Sequence, residues 1–167
     1  MDFYVSSGLY SFIANLLIAL FVYSRGPRKK INILFAMFSI TVSGWSVGSF
    51  LENVIPDKST ALIVLRFNYL FAVWLPAVYM HFVYTITNKN SKVDHLKLRF
   101  AYLTSSILTP IVFTKWFIPH LQMIPSTHFY ISSAGPAYYL FFSYFGIAMY
   151  EVLSHTILQV RKYSGSQ

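Results

Sequence analysis

Five apolar runs, each long enough to cross a bilayer, fill most of this 167-residue chain. A hydrocarbon core about 30 Å thick takes roughly 20 helical residues at about 1.5 Å rise each. The runs at 5–23, 31–52, 60–86, 98–118 and 136–160 all meet that length. Lipid offers no hydrogen bonds to an exposed backbone, so such runs must be helices. The expected fold class is all-α: a polytopic membrane helix bundle of five transmembrane helices in a single domain, 1–167. A soluble helical protein fits poorly, because only 11% of the residues are charged, against roughly 25% in soluble domains.

Lys and Arg resist translocation, and here they fall into alternate loops. Arg25, Arg28, Lys29 and Lys30 follow the first run; Lys89, Lys92, Lys97 and Arg99 follow the third; Arg161 and Lys162 follow the fifth. The other connections are poor in them, with Lys58 beside Glu52 and Asp57 in one and Lys115 alone in another. This places the N-terminus outside and the C-terminus in the cytoplasm. The basic cluster follows the first run rather than preceding it, which argues for a retained anchor and against a cleaved signal peptide. The net charge of +8 thus reads as topology and headgroup contact, not as a nucleic-acid surface.

The chain has no cysteine, which excludes disulfides, thiolate metal sites and cysteine nucleophiles. No G-x-x-x-x-G-K, G-x-S-x-G, H-E-x-x-H or dinucleotide-binding glycine pattern occurs. No catalysis by the chain itself and no cofactor is expected.

Within the second run, Gly44 and Gly48 form a GxxxG with Ser39, Ser43, Ser46 and Ser49 around it, a pattern that admits a close helix neighbour. Pro76 and Pro110 lie inside apolar runs and are expected to kink them. Ionisable residues inside a bilayer are costly, about 2.5–3.5 kcal/mol at a helix centre on insertion scales. Arg66 lies two turns into the third run and Glu52 closes the second, so an Arg66–Glu52 pair is expected, with Trp45 and Tyr69 completing a candidate ligand site. The competing reading is a structural ion pair. His81 and His155, at similar depth with Glu151 one turn from His155, suggest a weaker haem or metal alternative. Ordinary hydrogen-bonded histidines account for the same pattern. His120 and His128 in the longest outward loop are a still weaker metal pair.

The order of features resembles a known family. A basic loop precedes NILFAMFSITVSGWSVGSFLE, then LRFNYLFAVWLPAVYMHFVYTIT, then AGPAYYLFFSYF with a basic exit. With Asn32, Phe35, Trp45, Gly48, Arg66, Tyr69, Pro76 and Phe82 as the matching positions, this is similar to the N-terminal 7TM sensor region of bacterial histidine kinases and related signalling proteins. The likeness covers most of Ile31–Lys162. It implies a sensory and signal-transduction module in a bacterial inner or plasma membrane, non-catalytic by itself. The partners it implies are the lipid bilayer, a cytoplasmic output module of kinase or cyclase type, and a second copy in a homodimer. The sequence stops after the fifth run, where that family continues, so the front of a longer receptor or a stand-alone relic is expected. The alternatives are a bis-His haem-binding electron-transfer subunit using His81 and His155, and a small transporter or assembly partner.

Overall fold

The computed structural model of the chain describes residues 3–89, 91–123 and 130–164. Five helices account for most of it: α1 (Phe3–Ser24), α2 (Lys30–Val54), α3 (Lys58–Ile86), α4 (Lys92–Val112) and α5 (Pro136–Ser164). Two short strands, β1 (Leu121–Met123) and β2 (Tyr130–Ser132), pair antiparallel between α4 and α5, with Leu121 opposite Ser132 and Met123 opposite Tyr130. Among the described residues, α2, α3 and the Ser6–Ser24 part of α1 are long and apolar enough to cross a membrane. The lengths of α2 and α3, 25 and 29 residues, correspond to about 38 and 44 Å.

Local chemistry sets the ends of these helices. Asp57 caps α3 by accepting from the Thr60 backbone N–H at 2.8 Å and from the Thr60 hydroxyl at 2.6 Å. Ser91 and Asp94 form a reciprocal capping box at the start of α4, the standard way to satisfy otherwise orphaned first-turn N–H groups. Here the structure corrects the expected 98–118 span, since α4 begins six residues earlier and ends six residues earlier. The S-x-x-D box starts it within the basic stretch. Pro110, expected as a mid-helix kink, lies in the last turn, and the Phe113 N–H closes the helix with a three-residue bond to Pro110 O at 3.3 Å. Pro76 by contrast sits well inside α3, which continues on both sides of it.

No strand is expected from the sequence, yet the stretch after α4 turns into the hairpin. Leu121 is buried and Gln122 exposed, the alternation of a half-buried strand. Tyr130 ties this hairpin to the α2–α3 turn by donating its hydroxyl to Pro56 O at 2.6 Å. The hairpin and the α2–α3 turn therefore share one end of the bundle, called here the hairpin end. The loops carrying Arg25–Lys30 and Lys89–Arg99 lie at the other, the basic end.

Packing centres on α3, which touches α2 on one side and α4 and α5 on the other, while α1 leans on α2. On α2 two faces do different work. Ser43 donates to Phe12 O at 3.0 Å and Ser46 bonds Ser11 at 2.9 Å, both toward α1. Gly44 and Gly48 face α3, where a Cβ on Gly44 would meet the Phe71 ring at 2.5 Å and one on Gly48 would meet Asn68 Cβ at 2.7 Å. Across the other side of α3, the buried Ser105 hydroxyl donates to Val73 O at 2.8 Å and bonds the Tyr144 hydroxyl at 3.0 Å. One serine thus joins α3, α4 and α5. The outward faces remain apolar, with Leu17, Phe100, Leu103, Leu140, Ile147 and Leu153 all exposed.

The two glycines should respond differently to a methyl group. Phe71 can swing its ring, whereas Asn68 Cβ moves only with the α3 backbone, and overpacking a tight contact costs about 1–3 kcal/mol. Gly48→Ala is therefore expected to lower the thermal midpoint of the detergent-solubilised chain more than Gly44→Ala. Equal midpoints for the two variants would contradict the α2–α3 contact.

Candidate functional site

Two polar clusters lie at opposite ends of α3. At the hairpin end, Glu52 on the last turns of α2 stands beside the Asn68 amide of α3. Asn68 is only 4% exposed and donates to Ser49 Oγ at 3.2 Å. Glu52 Oε2 and Asn68 Oδ1 are buried without a hydrogen-bond partner. Each is an acceptor oxygen left without a donor, a costly arrangement in a protein interior.

The expected Arg66–Glu52 ion pair does not form. Among the described residues the ion pairs are Lys89–Asp94, Lys89–Glu151 and Lys97–Glu151. Arg66 instead donates through Nη2 to Ile118 O at 3.1 Å, and its Nε is buried without a partner. The cause is azimuth. Gly48 and Glu52 meet α3 along the Asn68 face, and residues two apart on a helix point about 200° apart. Arg66 therefore turns away from α2 toward the chain that leaves α4.

Tyr69 lies in an aromatic cluster with Phe117, Tyr138 and Phe141 at centroid distances of 5.2, 5.7 and 6.0 Å. Trp45 is not part of this cluster. It is 42% exposed on the outer surface of α2, so its expected place in a ligand site is corrected to an outward-facing one. Asn68 and Tyr138 were not singled out by the sequence; the i, i+4 advance from Gly48 to Glu52, matched to a polar residue on α3, was the available signal for Asn68.

At the basic end Glu151 of α5 gathers three donors on one oxygen. Tyr84 donates to its Oε1 at 2.9 Å, Lys89 at 3.0 Å and Lys97 at 2.8 Å. Lys89 also pairs with Asp94 at 3.2 Å. One carboxylate thereby fastens α5 to α3, to the α3–α4 loop and to α4. Partial burial opposes the Lys89 charge, but its bonds to Glu151 and Asp94 outweigh that and raise its pKa. For Asp94, desolvation is likewise outweighed by hydrogen bonds from Ser91 and Lys89, which lower its pKa.

The histidines have separate partners. His81 Nδ1 bonds the Tyr102 hydroxyl at 3.0 Å and His155 Nε2 bonds the Thr87 hydroxyl at 2.9 Å, while Glu151 is engaged by the lysines and Tyr84. The structure does not bring these three residues to a common centre, and among the described residues no three His, Asp or Glu gather as a metal-binding group. His120 Nε2 accepts from the Gln122 amide at 3.2 Å; His128 lies outside the described residues.

A family model described as the N-terminal 7TM region of histidine kinase matches residues 8–167. Comparison with curated proteins and with solved structures found no match.

Removing the Glu151 carboxylate strands Lys97 and the Tyr84 phenol at once and leaves Lys89 with Asp94 alone. Hydrogen bonds to charged groups contribute about 1.5–3 kcal/mol each way of breaking them, so Glu151→Ala is expected to cost about 2 kcal/mol in detergent unfolding. Lys97 is 43% exposed, and Lys97→Ala should cost under about 1 kcal/mol. A pH series adds a signed check. The lowered Asp94 pKa gives stability that is complete above the ordinary value of about 3.9 and is lost as pH falls toward the folded value. The raised Lys89 pKa gives stability complete below about 10.4 and lost as pH rises through the folded value. Stability of the Asp94→Asn variant should therefore fall less steeply in acid than that of the unaltered chain; parallel acid curves would contradict the assignment.

Proposed function

We propose, from the premise that this chain belongs to the family of N-terminal 7TM regions of histidine kinase, that it is the sensing part of a membrane receptor and passes a helix rearrangement to a cytoplasmic kinase or cyclase-type module. Five membrane spans are assigned to α1–α5. The two beyond the three most apolar helices are α4, basic in its first two turns, and α5, in which the 14 residues from Ala137 to Tyr150 carry no charge before Glu151. The alternation of Lys and Arg between loops supports an outward hairpin end and a cytoplasmic basic end. A bacterial inner or plasma membrane is the setting this implies.

A polar ligand arriving from outside would act at the hairpin end. Glu52 and Asn68 at the α2–α3 contact, and Arg66 and Tyr69 on the α3 face turned toward the chain that leaves α4, are the residues proposed to take it, because the orphaned Glu52, Asn68 and Arg66 atoms are the ones a ligand would satisfy. The observation that carries the reading is the position of α3, which holds Arg66, Asn68 and Tyr69 toward one end and Tyr84, bonded to Glu151 of α5, near the other. Ligand binding shifts a conformational equilibrium only through differential affinity for two states. A ligand favouring one packing of α3 against α2 or α4 would alter the contact that fixes α5, the helix that leads to the cytoplasm.

Topology is the decisive test. Alkaline phosphatase and fluorescent-protein fusions after Lys30, Lys58, Lys89 and Gln167 should report inside, outside, inside and inside. An external Gln167 would overturn both the orientation and the link to an intracellular output.

A further inference from the structure

The basic end contains a cleft of about 290 Å³ that the sensory reading does not use. Three helices and a turn line it: Lys30 from the first turn of α2, His81 from the last turns of α3, and Asp94 and His95 from α4, with Asn88 and Lys89 in the turn between the last two helices. Asn88 adopts the left-handed conformation, φ 50°, which turns the chain sharply between α3 and α4. A shallower depression beside it is lined by Lys92, His95 and Arg99.

Charge in this cleft is unevenly compensated. Asp94 is held by Ser91 at 2.6 Å and by Lys89 at 3.2 Å, and Lys89 is shared between Asp94 and Glu151. Lys30 has no carboxylate partner among the described residues, and Lys92 and Arg99 line the depression beside the cleft. His81 commits Nδ1 to Tyr102, leaving Nε2 as the ring's other polar atom. A site offering an ammonium, an amide and imidazoles from three helices and a turn, inside a basic field, is chemically suited to a small multi-oxygen anion.

We propose that this cleft binds a phosphoryl group, that of an anionic phospholipid headgroup. The lipid source is favoured by what adjoins the cleft: Val93, Leu96 and Phe100 on α4 are exposed and apolar, a strip along which acyl chains can lie. Because Lys89 lines the cleft and also holds Glu151, an anion there competes for the cation that fastens α5. The headgroup depth of the cleft rests on the membrane-spanning reading above, whereas its phosphoryl chemistry does not, so the test is made in detergent, where orientation has no influence.

The thermal midpoint of the purified chain would be followed against short-chain phosphatidylglycerol, short-chain phosphatidylcholine and inorganic phosphate. Phosphatidylglycerol is expected to raise it saturably. The apparent affinity should fall about tenfold or more in Lys30→Gln, the loss of one charge-assisted hydrogen bond, remain in Lys30→Arg, and be unchanged in Arg28→Gln. An equal response to inorganic phosphate would keep the phosphoryl site and assign its ligand to the soluble phase. Equal stabilisation by phosphatidylcholine, or an equal loss in Arg28→Gln, would overturn the proposal. Native mass spectrometry of the unaltered protein gives a readout independent of the folding of any variant: preferential retention of phosphatidylglycerol supports the site, and equal retention of both lipids overturns it.

Discussion

A polar atom in hydrocarbon has no water to replace a lost partner, and α3 is the helix along which this chain resolves that constraint. Its partners follow one another from end to end: Ser49 on Asn68, Ser105 on the Val73 carbonyl, Thr109 on Trp74, Tyr102 on His81 and Glu151 on Tyr84. Apolar contact alone selects weakly between helices in lipid, because acyl chains are as apolar as leucine. Each hydrogen bond is modest, about 0.5–1.5 kcal/mol net, but together they penalise any rotation or slip of α3. Register follows from that penalty.

The small residues of α2 serve the same end by a different route. Ser43 and Ser46 bond α1 and the glycines admit α3, so a single helix presents a hydrogen-bonding face and a close-packing face roughly side by side. Adding a side chain to the glycine face pushes α3 away and lengthens the Asn68–Ser49 bond of 3.2 Å. Substituting the serine face leaves that contact in place.

What was legible in the sequence was whatever depends on length and depth. The existence of five helices, the small-residue contact of α2 and the positions of the basic loops all follow from counting along one chain. Rotation about a helix axis was not legible. Arg66 and Glu52 lie at reachable depths, yet they point to different neighbours because α2 packs on the Asn68 face. The same limit hid the partners of Glu151, which lies one turn from His155 and within reach of Lys89 in the α3–α4 loop and Lys97 on α4; charge complementarity favoured the lysines. The hairpin between α4 and α5 escaped because three-residue strands carry too little periodicity to register. The start of α4 could have been found, since Ser91 and Asp94 stand at capping-box spacing in the sequence.

Pro76 lies between the two polar clusters of α3, eight residues from Asn68 and eight from Tyr84. It supplies no N–H to the Ala72 carbonyl, and the bond omitted there makes that turn the softest point on a helix held at both ends. Under the proposed function this matters energetically. Allosteric couplings are typically about 1–3 kcal/mol, far less than unpacking a helix and close to what a carboxylate with several charged donors contributes. A ligand at the hairpin end therefore need not move α3 as a rigid rod or separate it from its neighbours. A small bend at Pro76 that lengthens the Tyr84–Glu151 bond is on the right scale, and it acts on α5 because Glu151 has its other donors on α4 and the loop before it. The clamp would then be a balance among α3, α4 and α5, with Lys89 as the cation that both Asp94 and Glu151 draw upon.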